Sequence, residues 1–266
     1  MTMAKRERND EKGVAVALLL YGQPRCIDKG IAFASHKKLL LEKYATDVFC
    51  HMWEERNAEQ YETSPWSVKA QTVPAAKQFA LAMYEPVAFE YSLAAKFDPC
   101  DELKKLVDSE NFRRVWKVSP NALSNCISQL FSIEQVAKLL EKHMSTQKMD
   151  YEWAIVTRYD ITLDGLPDLT QLDRTCFYLM NNHPRFPDLV FIFDPKVYLQ
   201  SQFTYSNLAK TVPLFQAGSY PFFEPNAESL KNMQYLASGF KQEKLCPIPL
   251  RPHRVISTEP FIKREY

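Results

Sequence analysis

The stretch "YEWAIVTRYDITLDGLPDL" (residues 151–169) indicates which type of fold this chain forms. Its first seven residues are mostly apolar, which is typical of a strand buried on both faces of a sheet. The run ends in Arg158, Tyr159 and Asp160, and Asp164 and a Gly-Leu-Pro turn follow. Because residues two apart on a strand point the same way, Arg158 and Asp160 are predicted to project together from the carboxyl end of a buried strand.

The beginning of the chain repeats the pattern of a buried strand. The run "VAVALLL" (14–20) predicts a strand, residues 29–45 predict a helix, and "DVFCHMW" (47–53) predicts a second strand. A strand–helix–strand order favours parallel pairing, because parallel neighbours need a long crossover connection.

Helices and strands continue to alternate further along the chain. The clearest helix is at 119–143, where Ser119 can cap the first turn, Pro120 suits the first position, and apolar residues recur at three- and four-residue steps. The other predicted elements are helices near 74–83, 101–116 and 227–238, and strands near 87–91, 176–180 and 189–193. The fold class predicted is α/β, with a mainly parallel central sheet flanked by helices in a single domain (13–266) behind a disordered tail (1–12).

The composition excludes several classes of protein. The chain of 266 residues has 33 Lys and Arg against 32 Asp and Glu, a net charge of +1, which argues against a bulk electrostatic footprint for nucleic acid. The six cysteines form no CxxC motif, so reduced thiols in the cytoplasm are expected rather than a zinc site or a disulfide scaffold. The first apolar run is too short to span a membrane. A cytoplasmic protein without integral membrane association is therefore expected.

The pair Arg158 and Asp160 is the first candidate for chemistry. In open α/β sheets, ligands bind at the carboxyl ends of the strands. An aspartate there can hold a divalent cation that bridges two phosphates, and an arginine can neutralise a diphosphate or orient a neighbouring carboxylate. The alternative is an Arg–Asp pair that only closes the strand.

The second candidate is "YGQPRC" (21–26), directly after the first strand. Gly22 allows close approach of a ligand to the backbone, Pro24 stiffens the loop, and Arg25 offers a fork of donors suited to phosphate. The alternative is a plain turn at the end of a strand. Neither GxGxxG nor a Walker A sequence occurs in the chain.

Other polar residues near strand ends leave two interpretations open. His51 and Trp53 could line a sugar or base pocket, or they could be core residues. Asp188 and Asp194 flank the apolar run 189–193, so either could be a general base, a turn residue or a helix cap.

The order of these motifs resembles a family of soluble glycosyltransferase-like proteins found in bacteria and large DNA viruses. Its members typically show Gly-Gln-(Pro/Phe)-Arg, then Asp-Val-Phe-x-His-x-Trp, then Arg-(Phe/Tyr)-Asp at the end of a later strand. Here the three motifs are Gly22 to Arg25, Asp47 to Trp53, and Arg158 to Asp160. The resemblance covers about residues 14–195.

The resemblance implies a GT-A type fold, with a nucleotide-sugar-binding part (13–165) and an acceptor-binding part (166–266). Enzymes of this type usually hold a metal and the donor diphosphate with Asp-x-Asp, and here Arg158 replaces the first aspartate. The resemblance thus implies Mn²⁺ or Mg²⁺ at Asp160 and a general base at Asp188, with Glu224 as the runner-up. The donor-binding residues that it implies are Gly22, Gln23, Arg25, His51, Arg158 and Asp160.

The function expected is transfer of a hexose or pentose from a nucleotide sugar, with uridine as the default base, to a hydroxyl of a glycan acceptor. One alternative is a GT-A-like protein that binds a nucleotide or glycan without catalysis, which the replacement at Arg158 favours. Another is a phosphodiesterase or nucleotidyltransferase, although those usually need a denser cluster of carboxylates or histidines. If Asp160 only serves the site, Asp160→Ala should abolish transfer with little loss of thermal stability.

Overall fold

The structure is a computed structural model that describes residues 13–54, 73–93, 97–108, 120–180, 189–214, 227–249 and 251–254. The predicted tail (1–12) and the predicted cap Ser119 lie outside these residues. The strands described are β1 (Ala15–Gly22), β2 (Ala45–Glu54), β3 (Ala88–Leu93), β4 (Trp153–Arg158), β5 (Ile161–Asp164), β6 (Phe177–Met180), β7 (Val190–Phe193), β8 (Leu245–Ile248) and β9 (Arg251–Arg254). The helices described are α1 (Ile31–His36), α2 (Ala76–Tyr84), α3 (Asp101–Asp108), α4 (Pro120–Gln147), α5 (Pro195–Tyr198), α6 (Thr204–Thr211) and α7 (Ala227–Ala237).

Seven strands form one mixed sheet in the order β3-β2-β1-β4-β7-β6-β8. β3, β2, β1 and β4 are parallel neighbours, β7 is antiparallel to both β4 and β6, and β6 is parallel to β8. Six of the seven strands therefore point the same way. This strand arrangement confirms the prediction of an α/β fold with a mainly parallel sheet flanked by helices.

The two faces of the sheet are covered by different helices. Alternate residues of β1, such as Leu18 and Leu20, pack with residues of α2, whereas Ala17 and Leu19 pack with the middle of α4. Both sets are buried, which accounts for a continuous apolar run instead of alternating apolar and polar residues.

The longest helix, α4, joins two regions of the core. Its first half places Ile127 and Leu130 in a cluster with residues of α3, α6 and α7. Its second half places Ile133, Val136 and Leu140 against the sheet. The helix therefore crosses from the parallel half of the sheet to the helices that follow β7.

Several details differ from the sequence-based expectations. The helix predicted at 29–45 ends earlier than expected. α1 continues only as a π-helical turn (Lys37–Leu41), and β2 already begins at Ala45. The Thr46 hydroxyl donates to the Leu40 carbonyl, 3.1 Å away, which helps to end the helix there. The antiparallel pair of β5 and β9 was not predicted.

None of the helices in the described part of the chain is long and apolar enough to cross a membrane.

Candidate functional site

The carboxyl ends of β1, β2 and β4 form the edge of the sheet at which the predicted residues meet. Tyr21 on β1 pairs with His51 on β2 on one side and with Arg158 on β4 on the other. From β1 the chain continues to β2, which lies on one side of β1, and it later returns to β4 on the other side of β1. In open α/β sheets such a reversal of strand order opens a crevice at the carboxyl ends of the strands, where ligands bind.

The loop after β1 has a backbone conformation that requires glycine. Gly22 has φ of 95°, in the region that disfavours L side chains. Its N–H donates to the Ser132 hydroxyl of α4 at 2.9 Å. The loop is therefore attached to α4 at its first residue.

The side chains of Gln23 and Arg25 bind each other within this loop. Oε1 of Gln23 accepts from Nε of Arg25 at 2.9 Å and from Nη2 at 2.6 Å. Arg25 is half-buried. The predicted phosphate-binding arginine is therefore held by its neighbour at the edge of the sheet.

Arg158 and Asp160 form a two-point ion pair at the end of β4. Nε of Arg158 lies 2.9 Å from Oδ1 of Asp160, and Nη2 lies 2.7 Å from Oδ2. The Asp160 side chain is 0% exposed, whereas 16% of the Arg158 side chain is exposed. The carboxylate is thus fully buried while part of the Arg158 side chain is exposed, and the two-point contact is the geometry of an aspartate that orients an arginine.

The β1 loop approaches this ion pair at Cys26. Burial raises the pKa of the Cys26 thiol, and the negative charge of Asp160 raises that pKa further. Arg25 and Lys29 act on the same thiol in the opposite direction. Cys26 therefore lies within electrostatic reach of both the loop and the end of β4.

His51 lies beneath the loop, in a buried chain of hydrogen bonds. Its Nδ1 is 2.6 Å from Oγ of Ser132, and its Nε2 is 3.1 Å from Oγ of Ser92. The Ser132 oxygen accepts from Gly22, so its own O–H can donate to Nδ1 while Nε2–H donates to Ser92. Burial lowers the pKa of His51 to about 4, so the ring is neutral near pH 7. Through these contacts His51 positions the β1 loop. Contact between His51 and a nucleotide-sugar donor stays a prediction.

An aromatic cluster adjoins His51 on the α4 side of the sheet. Trp53 is stacked on Phe131 with ring centroids 5.5 Å apart, and His51 meets the Trp53 ring edge-on at 5.0 Å. Phe97 and Tyr205 complete the cluster around Phe131. Trp53 is buried, so it packs in the core. This was one of the two interpretations that the sequence left open for Trp53.

The two candidate bases, Asp188 and Glu224, lie outside the described residues. The chain is described again from Leu189, next to Val190, which pairs with Thr157 of β4. β7 therefore starts at the same edge of the sheet as Arg158.

Two other aspartates lie away from this edge. Asp194 follows the end of β7 that pairs with the start of β4, and its carboxylate accepts from the backbone N–H of Lys196 as the N-cap of α5. Asp194 is thus a helix cap. Asp47 lies in the first half of β2, where it accepts from the Tyr151 hydroxyl at 2.7 Å.

The residues described do not fit a divalent cation at Asp160. Both carboxylate oxygens contact the Arg158 guanidinium, whose positive charge would oppose a second cation at the same carboxylate. Mg²⁺ and Mn²⁺ also prefer several oxygen ligands, and no three His, Cys, Asp or Glu side chains form a possible metal site in the part of the chain that the structure describes. The described role of Asp160 is to hold Arg158.

The residues that connect the loop to the rest of the fold are not among those predicted from the sequence. Ser132 contacts both Gly22 and His51, and Gln129 on the same helix donates to the Tyr21 hydroxyl at 3.3 Å. Ser132 is a polar residue among the buried positions of α4. That polar position was a signal in the sequence, although its partners are set by tertiary packing.

The chain was compared with models of known protein families and with curated proteins, and it matches none of them.

Proposed function

We propose that this protein is a glycosyltransferase that takes a sugar from a nucleotide-sugar donor, with uridine as the default base, and transfers it to a hydroxyl of a glycan acceptor. The proposal includes a GT-A type fold and action in the cytoplasm. The proposal is based on the resemblance to a glycosyltransferase-like family, which three motifs carry: Gly-Gln-Pro-Arg, Asp-Val-Phe-x-His-x-Trp and Arg-Tyr-Asp.

One observation carries most of the support for this proposal. The two segments that bear Arg25 and Arg158 meet at the carboxyl edge of the sheet, at the point where the strand order reverses. Guanidinium groups match phosphate oxygens in charge and in donor geometry. Two arginine-bearing segments that meet at this edge therefore support the binding of a nucleotide-sugar diphosphate.

The chemistry requires a leaving group and a base. The bond between the anomeric carbon and the diphosphate oxygen breaks, a bond to the acceptor oxygen forms, and the acceptor proton passes to a carboxylate. Arginines near the diphosphate stabilise the negative charge that develops on the leaving group. Asp188 is proposed as the base, with Glu224 as the alternative. A divalent cation stays a prediction from the resemblance, and no step is derived through it.

A second candidate function is binding of a nucleotide or a glycan without catalysis. The observation that favours it is the pairing of Asp160 with Arg158, which occupies the carboxylate that the resemblance assigns to catalysis. The two candidates differ in turnover and agree in donor binding.

A thermal-shift screen against nucleotide sugars, followed by a turnover assay, tests both candidates. A ligand at about one hundred times its Kd stabilises the native state by about 2.7 kcal/mol. For a chain of this size we expect one nucleotide sugar to raise Tm by roughly 5 °C or more, and the free sugar to leave Tm unchanged. Release of the nucleoside diphosphate in the presence of acceptor glycans supports transfer. Binding without turnover favours the second candidate, and the absence of binding contradicts both the transferase and a nucleotide-binding protein.

A further inference from the structure

We propose that the protein binds a diphosphate directly with the guanidinium groups of Arg25 and Arg158, without a bridging divalent cation, and that Asp160 is a positioning residue that orients Arg158. This inference rests on the proposed function only where it takes the diphosphate to be that of the donor. The binding of an isolated pyrophosphate does not depend on that function.

The first line of support is the direction of the charges. The Asp160 carboxylate is fully buried, while the exposed part of the pair belongs to Arg158. A ligand that approaches the carboxyl end of β4 therefore meets the Arg158 side chain before it meets the Asp160 carboxylate. Such a surface attracts an anion and repels a cation.

The second line of support is the geometry of the pair. Asp160 binds two of the five N–H donors of the Arg158 guanidinium, along one edge of its plane. The ion pair fixes the plane of the guanidinium, so a phosphate group that contacts it does not bear the full entropy cost of ordering the side chain first. An aspartate used in this way raises the affinity for phosphate through the arginine, although its own charge is negative.

The third line of support is the arrangement of Arg25, which repeats that of Arg158. Gln23 accepts two hydrogen bonds from the Arg25 guanidinium and holds it with a neutral amide. The loop begins at Gly22, next to Tyr21, which pairs with Arg158. The loop and the end of β4 thus each carry a guanidinium held by a neighbouring side chain, while the charge of Asp28 in the same loop is paired with Lys29. This arrangement suits a diphosphate better than it suits a metal ion.

Calorimetric titration with inorganic pyrophosphate, on protein treated with EDTA, is the deciding measurement. We expect pyrophosphate to bind in EDTA. When Mn²⁺ is added, the Kd should change less than threefold after correction for the pyrophosphate that is complexed by Mn²⁺. Binding only in the presence of Mn²⁺, or no binding in either condition, would overturn the proposal.

A double variant separates the pair from general effects on folding. Arg158→Gln with Asp160→Asn removes both charges, so that no buried charge is left without a partner. We expect pyrophosphate affinity to fall at least tenfold. The matched control is Arg174→Gln with Asp194→Asn, which neutralises another Arg–Asp pair, 2.8 Å apart, at the opposite edge of the sheet. Equal affinities in the two double variants would overturn the proposal.

The positioning role of Asp160 has a spectroscopic readout that a purely structural role would leave unchanged. In ¹⁵N NMR, the Arg158 Nε–H signal should move when pyrophosphate is added to the wild type. In Asp160→Asn the shift caused by pyrophosphate should be smaller than in the wild type, whereas the Arg174 signal should not move when pyrophosphate is added to either protein. An Arg158 signal that ignores pyrophosphate would contradict direct contact.

The outcomes also separate this inference from the proposed function. If pyrophosphate binds in EDTA but no nucleotide sugar binds, the phosphate site stands and the glycosyltransferase proposal fails. If a nucleotide sugar is turned over but pyrophosphate binds only in the presence of Mn²⁺, the function stands and the arginine-only site fails.

Discussion

Ser132 on α4 joins two neighbouring strands of the sheet, because its hydroxyl accepts the Gly22 N–H at 2.9 Å and lies 2.6 Å from Nδ1 of His51. The bond to Gly22 spans 110 residues of sequence and fixes the place where the β1 loop leaves the sheet. The buried histidine therefore affects the site through the loop, and the serine is the connection between them.

Loss of this connection should be measurable in Ser132→Ala. Gly22 loses its described acceptor and His51 loses a partner, so we expect the free energy of unfolding to fall by about 1–3 kcal/mol. Donor affinity should fall as well, because the Arg25 loop is no longer fixed. Urea unfolding and a donor titration measure the two effects.

The control for this variant is Ser145→Ala, on the exposed surface of the same helix. It should change the free energy of unfolding by less than about 0.5 kcal/mol. If Ser132→Ala is as mild as Ser145→Ala, Ser132 does not stabilise the loop.

Truncation of Asp160 is expected to lower stability as well as activity, contrary to the expectation from the sequence. The carboxylate is 0% exposed and pairs with Arg158, so Asp160→Ala leaves a largely buried guanidinium without its described ion-pair partner. We expect a loss of about 3 kcal/mol, or roughly 5–10 °C in Tm. Differential scanning calorimetry gives both values.

The matched variant for this comparison is Glu243→Ala. Glu243 lies 3.7 Å from Lys241 in an exposed ion pair, so its removal should cost less than about 0.5 kcal/mol. A Tm for Asp160→Ala that equals that of Glu243→Ala would show that the buried pair contributes no stability.

Stability should decrease as the pH falls from 7 to 5. Burial lowers the pKa of His36 to about 4 and that of His51 to about 4, whereas an exposed histidine has a pKa of 6.5. The unfolded chain therefore binds protons that the native state excludes, and stability is lost progressively below pH 6.5. The loss between pH 7 and pH 5 should be about 2 kcal/mol for each histidine.

Urea unfolding at several pH values measures this slope. His36→Gln and His51→Gln should each remove about half of the decrease, since each removes one of the two groups. A free energy of unfolding that stays constant from pH 7 to pH 5 would show that neither histidine is held neutral by burial.

The assignment of the base can be tested with Asp188→Asn. The variant keeps the shape of the side chain and removes its charge, so donor binding should be nearly unchanged while kcat falls about a hundredfold or more. Steady-state kinetics with separate donor titration distinguishes these effects.

Glu224→Gln is the comparison for the same reaction. If Asp188→Asn loses donor affinity and keeps kcat, Asp188 is a donor ligand. If it changes neither quantity while Glu224→Gln lowers kcat, the base is Glu224.

The amino-acid sequence by itself determined the parallel half of the sheet. Apolar runs at β1, β2 and β4, separated by helical segments, require strands that are covered on both faces, and long crossovers make them parallel. The sequence also predicted that Arg158 and Asp160 meet at the end of a buried strand, and they do so as an ion pair between the last residue of β4 and the turn that follows it. These features depend on residues close together in the chain.

Tertiary structure alone decided the direction of β7 and the pairing of β5 with β9. A short apolar run such as "VFIF" carries no information about its direction, which depends on where the preceding chain leaves the sheet. Likewise, nothing near Ser132 in the sequence indicates that its hydroxyl meets Gly22 and His51. These three residues come together only when α4 packs on the sheet. That packing buries their polar groups, and buried polar groups need hydrogen-bond partners.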